Sequence, residues 1–315
     1  MNLKALTFGF LFCFYNALVV AQGAFQVVPL GVKGGADESN LSAYLVGAPG
    51  ANAFVCLDAG TVRSGIDKAI ATGALKGTAS TVLKENIKGY LISHPHLDHV
   101  AGMILNSPDD SAKPLYGLPF CLDVIKEKYF SWKSWANFGN EGEKPTLNKY
   151  RYSPLVPQQE TSLEQTTLSV QAFELSHSTP GQSTAFLIRQ GDNYLLYLGD
   201  TGADNIEQSN KLASLWQHMG PLIKTKKLKA IFIEVSFPNE QPSKLLFGHL
   251  TPALLFQELS ALDKAADHSI KGLPVVVTHM KPNDDHEAKI KSQLQTSNSL
   301  GVNLIFPEQG KAIAF

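Results

Sequence analysis

Cysteine is nearly missing from this chain: three residues in 315, at positions 13, 56 and 121. So few thiols exclude a disulfide-built scaffold. Net charge is missing too. With 27 basic residues against 28 acidic ones, no global field draws DNA, RNA or an anionic membrane over the whole surface, and any anionic ligand needs a local site. The apolar run Ala5–Val20 is short for a bilayer span, which takes roughly 20 residues, and it lacks a basic stop-transfer flank. No internal repeat is visible. What the sequence does have is apolar mass: 44% of the residues are hydrophobic, enough for a sizeable core.

Lys4 ahead of that run, and the small residues Ala21, Gly23 and Ala24 after it, match a secretory signal. Met1 to about Ala24 is expected to be removed, leaving a mature domain over 25–315 in a periplasmic or secreted location. Cys13 follows no lipoprotein-type cleavage box, so neither a lipid anchor nor a stable membrane anchor is expected. Cys56 and Cys121 either pair in that oxidising compartment or stay as buried thiols. The apolar contexts AFVCLDAG and PFCLDV favour burial.

From Phe25 onward short apolar runs alternate with Gly, Pro and Asn punctuation. FQVVPLGV, SAYLVGA, NAFVCLDAG and KGYLIS read as strands in the first half. TTLSVQAFELSHS, STAFLIRQ, NYLLYLGDTG, KAIFIEVSF and LPVVVTHM read so in the second. Several are apolar on both faces, which places them between layers. SGIDKAIATGAL, AGMILNS, KLASLWQHMGPLIK, TPALLFQELSALDKAA and DDHEAKIKSQLQTS have helical apolar spacing, and Thr251-Pro252 suits an N-cap followed by proline. The sum is an α/β protein, a four-layer αββα sandwich. Residues from about 125 to 159, rich in aromatics, Lys, Asn and Pro, break the rhythm. They read as an insertion or lid that shapes a substrate site, or as a surface excursion packed on the body.

Three imidazoles and a carboxylate fall within six residues in His94-Pro95-His96-Leu97-Asp98-His99, at the end of a strand. Core packing explains this poorly, whereas imidazole nitrogen and carboxylate oxygen are what a zinc ion accepts. His94 and His96 point to one ion; Asp98 and His99, further round the turn, face a second. His177, Asp200 and His279 each follow an apolar strand. Singly each has a dull explanation as a loop or turn residue; together with the histidine-rich turn they complete a seven-ligand set. His218, His268 and His286 lie in polar or mixed helical segments and read as solvated surface residues.

The order HPHLDH, His177, Asp200, His279 resembles the metallo-β-lactamase superfamily over essentially the whole mature chain. HPHLDHVAGMILNSP, with PLGVKGG, NLSAYLV, LDAGTVRSGI and FGHLTP, is similar to class II 3′,5′-cyclic nucleotide phosphodiesterases. The resemblance implies His94, His96 and His177 on one metal, Asp98, His99 and His279 on the other, and Asp200 between them. It makes Asp58 a residue that orients the site without binding metal. A carboxylate at Asp200 argues against the β-lactam-hydrolysing branch, and imidazole at His96 argues against iron redox chemistry.

The activity implied is hydrolysis of cyclic AMP, with cyclic GMP as a further substrate, to the 5′-monophosphate, using two Zn²⁺ (or other divalent ions) and a water activated between them. An alkoxide leaves poorly at neutral pH, so a proton donor is needed opposite the attack. His249 in LLFGHLTP is the candidate, with Glu234 in FIEVSF orienting it; the order resembles the Glu and His of tRNA-processing phosphodiesterases. The alternatives are a His that caps or packs beside Thr251 and a Glu serving a local hydrogen bond. Asp98, His249 and Glu234 are thus the candidate catalytic residues. Trp135, Asn137 and Phe138 in the insertion are candidates for stacking on and bonding the nucleobase, and Ser178 and Thr179 for phosphate oxygen.

The partner expected is a small cyclic nucleotide and no nucleic-acid polymer, because KTKKLK at 224–229 is the one short basic run. Oligomeric state stays open, a homodimer included. Rival readings are a lactonase, thioesterase or RNA-processing enzyme on the same fold, or a non-catalytic metal-binding protein.

Overall fold

The computed structural model describes residues 23–283 and 285–315. The expected secretory segment, Met1 to about Ala24, lies almost wholly outside the described residues. In chain order the elements are β1 Gln26–Gly31, β2 Ala43–Gly47, β3 Phe54–Leu57, α1 Arg63–Ala71, α2 Ala79–Thr81, β4 Ile87–Leu91 and α3 Leu97–Asn106. Then come β5 Lys113–Gly117, α4 Pro119–Val124, β6 Tyr150–Pro154, β7 Thr161–Ser162, β8 Ser169–Ser176, β9 Gln182–Gln190 and β10 Asn193–Leu198. The chain finishes with α5 Asp204–Glu207, α6 Lys211–Lys224, β11 Leu228–Glu234, α7 Pro252–Ala265, β12 Pro274–Thr278, α8 His286–Ser297, β13 Asn303–Ile305 and β14 Ile313–Ala314. All nine expected strands form. No helix among the described residues is long and apolar enough to cross a membrane.

Two seven-stranded sheets result, in the orders β14-β1-β2-β3-β4-β5-β6 and β13-β12-β11-β10-β9-β8-β7. Alternation along each strand sorts its side chains into three apolar layers. Tyr44 and Val46 of β2, Val55 and Leu57 of β3, Phe186 and Ile188 of β9, and Ala230 and Phe232 of β11 meet between the sheets. The other faces of the same strands, Leu45, Cys56, Leu187 and Ile231 among them, pack under the helices. Both strand faces are therefore dry, which is why these segments are nearly continuously apolar, and the αββα sandwich follows. At α7 the Thr251 hydroxyl accepts from Leu254 N, with Pro252 at the first turn, the N-cap read from the sequence.

Much of the insertion packs on the body of the protein, and Tyr129 donates to the Pro95 carbonyl in the histidine-rich turn. Past α4 the chain turns through Ile125–Tyr129, and Phe130, Phe138, Tyr150 and Tyr152 join the core under the first sheet. Tyr150–Pro154 becomes its edge strand, parallel to β5. Its alternating buried positions are too brief to separate from loop, and Pro154 at a sheet edge removes no ladder bond of a central strand. Cys56 and Cys121 are both free and buried.

Candidate metal centre and catalytic site

Strand direction brings the polar residues together. β10, β11 and β12 run parallel. β8 is antiparallel to β9, which is antiparallel to β10, so β8 shares their direction. The residues just past or at their C-terminal ends, His177, Asp200, Glu234 and His279, reach one rim. From the first sheet, β3 and the parallel β4 deliver Asp58 and the histidine-rich turn to the same place. His96 stands at the N-cap of α3, putting Asp98 and His99 in its first turn, where Asp98 also meets the positive end of the helix dipole.

The seven expected ligands form two groups around Asp200, and within each group the donor atoms lie within 4.8 Å of one another. In the first, His94 Nε2 is 3.0 Å from His96 Nδ1, which is 3.3 Å from His177 Nε2. Asp200 Oδ2 is 3.7 and 3.9 Å from His94 and His177. In the second, His279 Nε2 is 3.1 Å from His99 Nε2 and 3.2 Å from Asp98 Oδ2. Asp200 is 3.2 Å from both imidazoles, through Oδ1 to His99 and Oδ2 to His279. A tetrahedral ion with bonds of ~2.0–2.1 Å holds its ligands roughly 3.4 Å apart, and these separations fit.

Neighbouring groups set which ring nitrogen four of the five ligand histidines present. His177 Nδ1 donates to the Gly248 carbonyl at 2.9 Å. His99 Nδ1 donates to Asp58 Oδ2 at 2.7 Å. The Ser93 hydroxyl spends its proton on Asp58 Oδ2, so it accepts from His94 Nδ1 at 3.0 Å. Likewise Ser236 donates to Glu234 Oε2 and accepts from His279 Nδ1 at 2.9 Å. Four imidazoles are thereby fixed with Nε2 lone pairs converging, an arrangement that is repulsive without a cation and correct with one.

Burial holds His94, His96 and His177 below the usual imidazole range, in the neutral form a metal ligand needs. Burial alone would raise Asp98 and Asp200; His99 and His279 outweigh it and keep both carboxyls well below their ordinary value. Against its own burial, His99 is pulled well above its usual range by Asp200, Asp58 and Asp98. That is an electrostatic demand which a dication meets equally well.

With this geometry the likenesses to known proteins can be placed. Residues 24–310 match the family model for class-II cAMP phosphodiesterases. The chain belongs to the class-II cAMP phosphodiesterase family. It is 45% identical, over 93% of both chains, to a 3′,5′-cyclic-nucleotide phosphodiesterase of Aliivibrio fischeri. It is 37% identical to a probable one of Yersinia pestis, over 96% of this chain and 92% of that protein. In three dimensions it is similar to unliganded yeast PDE1, with a TM-score of 0.81 at 21% identity over 93% of this chain and 100% of that one. It is also similar to the metallo-β-lactamase fold protein YhfI of Bacillus subtilis, with a TM-score of 0.61 at 16% identity over 92% and 99% of the two chains. These likenesses agree with the αββα sandwich.

Several segments by which the sequence resembled class-II phosphodiesterases have a local physical reason here. A side chain at Gly34 would collide with the His279 ring, and Gly35 holds φ 79° as its amide donates to Asp98 Oδ2 at 2.9 Å, which accounts for the paired glycines of PLGVKGG. Asp58 gathers Ser93 N, Ser93 Oγ, His99 Nδ1 and the Tyr197 hydroxyl. It and His279 both hold left-handed backbone, at φ 53° and 59°. Such strain in non-glycine residues is tolerated where the surroundings over-determine it.

His249 lies beside both groups, its Nδ1 2.7 Å from Glu234 Oε1 and its ring stacked on His279 with centroids 5.2 Å apart. Burial disfavours its cation, but the Glu234 carboxylate raises it above the ordinary value, while Lys281 opposes this. Sequence reasoning missed Ser93, Tyr197, Ser236 and Lys281. Serines and tyrosines carry no signal until the strands are paired.

The candidates for the nucleobase are not brought to the centre. Asn137 is 0% exposed, its amide donating to the Glu141 and Glu143 carbonyls and its oxygen accepting from Gly139 N. Phe138 is buried against Phe130. Trp135, half-buried, donates to Ser107 Oγ at the far end of α3. Packing on the body claims all three. Thr179, through both its amide and its hydroxyl, is bound by Glu207, whereas Ser178 stays exposed beside His177 with φ 55°. Large apolar side chains that do stand open near the ligands are Leu97, 61% exposed, and Phe247, 60% exposed. His218 and His268 are exposed as expected. His286 is instead half-buried, with a buried Nδ1 that has no hydrogen-bond partner among the described residues.

Proposed function

We propose that this protein hydrolyses 3′,5′-cyclic nucleotides, cyclic AMP and cyclic GMP, to nucleoside 5′-monophosphates. The observation that carries the reading is the pair of donor groups sharing Asp200 with a carboxylate-held imidazole, His249, alongside. His94, His96 and His177 would hold one ion, and Asp98, His99 and His279 the other. Two zinc ions suit this nitrogen and oxygen set. Bound there, such a pair supplies Lewis acidity toward the phosphoryl oxygens and an activated water.

The chain's own residues do the rest. Glu234 takes the Nδ1 proton of His249 in a hydrogen bond, so the opposite nitrogen, Nε2, is the one available to give a proton to the departing 3′ oxygen. Asp58 and Ser236 keep the ligand imidazoles from turning. Buried walls around His94, His99 and Asp200 strengthen every charge interaction in the site. The charged start and apolar run at the N-terminus support a secreted or periplasmic address, to be checked by the mass and N-terminal sequence of the exported form.

The deciding experiment offers purified protein with zinc four substrates: cyclic AMP, cyclic GMP, a bis-aryl phosphodiester and an acyl lactone. Turnover of the cyclic nucleotides with about two metals per chain by elemental analysis is expected. Lactone turnover without cyclic nucleotide turnover sinks the assignment.

A further inference from the structure

We infer that Lys281 is the cationic contact for the substrate's phosphate, an inference that rests on the phosphodiesterase reading. At His279 the left-handed turn buries Met280 and leaves the Lys281 side chain half-exposed beside the centre. Its ammonium lies 5.5 Å from the Phe237 ring centroid, and Phe237 is itself 5.8 Å from the His249 ring. On the other side, Nζ is 3.9 Å from where a Cβ on Gly35 would stand, and the Gly35 amide is bound to Asp98. The charge thus lies where Phe237 borders the proton donor and Gly35 borders the second ligand group.

Neighbouring lysines are spoken for: Lys33 and Lys291 by Glu287, Lys289 by Asp285. Among the described residues no carboxylate pairs with Lys281. A face of Phe237 steadies an ammonium without cancelling its charge, which keeps it available for an anion. A cyclic phosphodiester brings one negative charge shared by two non-bridging oxygens, and a lysine acts on such a group as a point charge with rotatable donors. Overall charge is near balance, so attraction of an anionic substrate falls to local groups of this kind.

The test uses the full zinc-loaded chain with Lys281→Met and Lys281→Arg. For Lys281→Met the KM for cyclic AMP should rise on the order of tenfold, as expected for one charge-assisted contact, and inhibition by inorganic phosphate should weaken in parallel. Turnover number should stay within about threefold and bound metal should not change; a charge that only meets the substrate acts on binding. Lys281→Arg should recover most of the affinity. Unchanged KM and unchanged phosphate inhibition overturn the inference, and so does loss of metal in proportion to activity, which would make Lys281 a support of the centre. Should the wild type turn over lactone and not cyclic AMP, the function reading fails. Inorganic phosphate binding to the wild type and Lys281→Met, by calorimetry, then decides the lysine on its own.

Discussion

Asp58 and His99 are joined by a 2.7 Å hydrogen bond between Oδ2 and Nδ1, although 41 residues separate them. Through it a residue that touches no proposed ion sets the ring on which the second donor group depends. Replacing Asp58 with Asn leaves the shape and removes the charge. Metal affinity should fall by roughly 10–100-fold, the usual cost of losing such an outer partner, read by competition with a chromogenic chelator. Unchanged affinity would show that His99 needs no orienting.

Ligands and proton donor should separate cleanly. His94→Ala or Asp200→Ala should abolish activity and lower bound metal together. His249→Ala should keep its metal and lose about 10²–10⁴ in kcat on cyclic AMP. An aryl phosphodiester, whose leaving group departs without a proton, should suffer less. Metal loss in step with activity in His249→Ala would place that residue among the ligands.

Glu234 raises His249, and the sign of its removal follows. Without the carboxylate the imidazole gives up its proton at lower pH, so the acid form disappears sooner as pH rises. In Glu234→Gln the alkaline limb of the kcat profile should shift to lower pH. A limb that stays in place removes Glu234 from the proton-donor role.

Phe138, a candidate for base stacking by its neighbourhood, belongs to the core. Phe138→Ala should destabilise the fold by ~3–5 kcal/mol in chemical denaturation, with KM for cyclic AMP unchanged in the folded fraction. A raised KM at full stability would return the aromatic to the binding site.

The sequence exposed most of the architecture because strands dry on both faces, such as residues 230–233 and 275–277, are apolar without interruption. The seven donors were legible for a related reason: each is the first metal-capable polar side chain beyond, or in the turn after, such a run. β6 was not, because an edge strand of five residues carrying Pro154 resembles the loop before it. Ser93, Ser236 and Tyr197 escaped as well, since a hydroxyl becomes informative only when folding sets it against Asp58, Glu234 or an imidazole. Trp135 and Asn137 misled because aromatic and amide groups serve packing and base recognition with the same chemistry.

The centre draws four donors from the stretch joining β4 to the first turn of α3 and three from the ends of strands in the opposite sheet, so neither half of the molecule owns it. A chain nicked between Pro154 and Thr161 would yield two fragments, each with an incomplete coordination sphere. Catalysis would return only when the pieces found each other, and its return would clock the docking of one half upon the other.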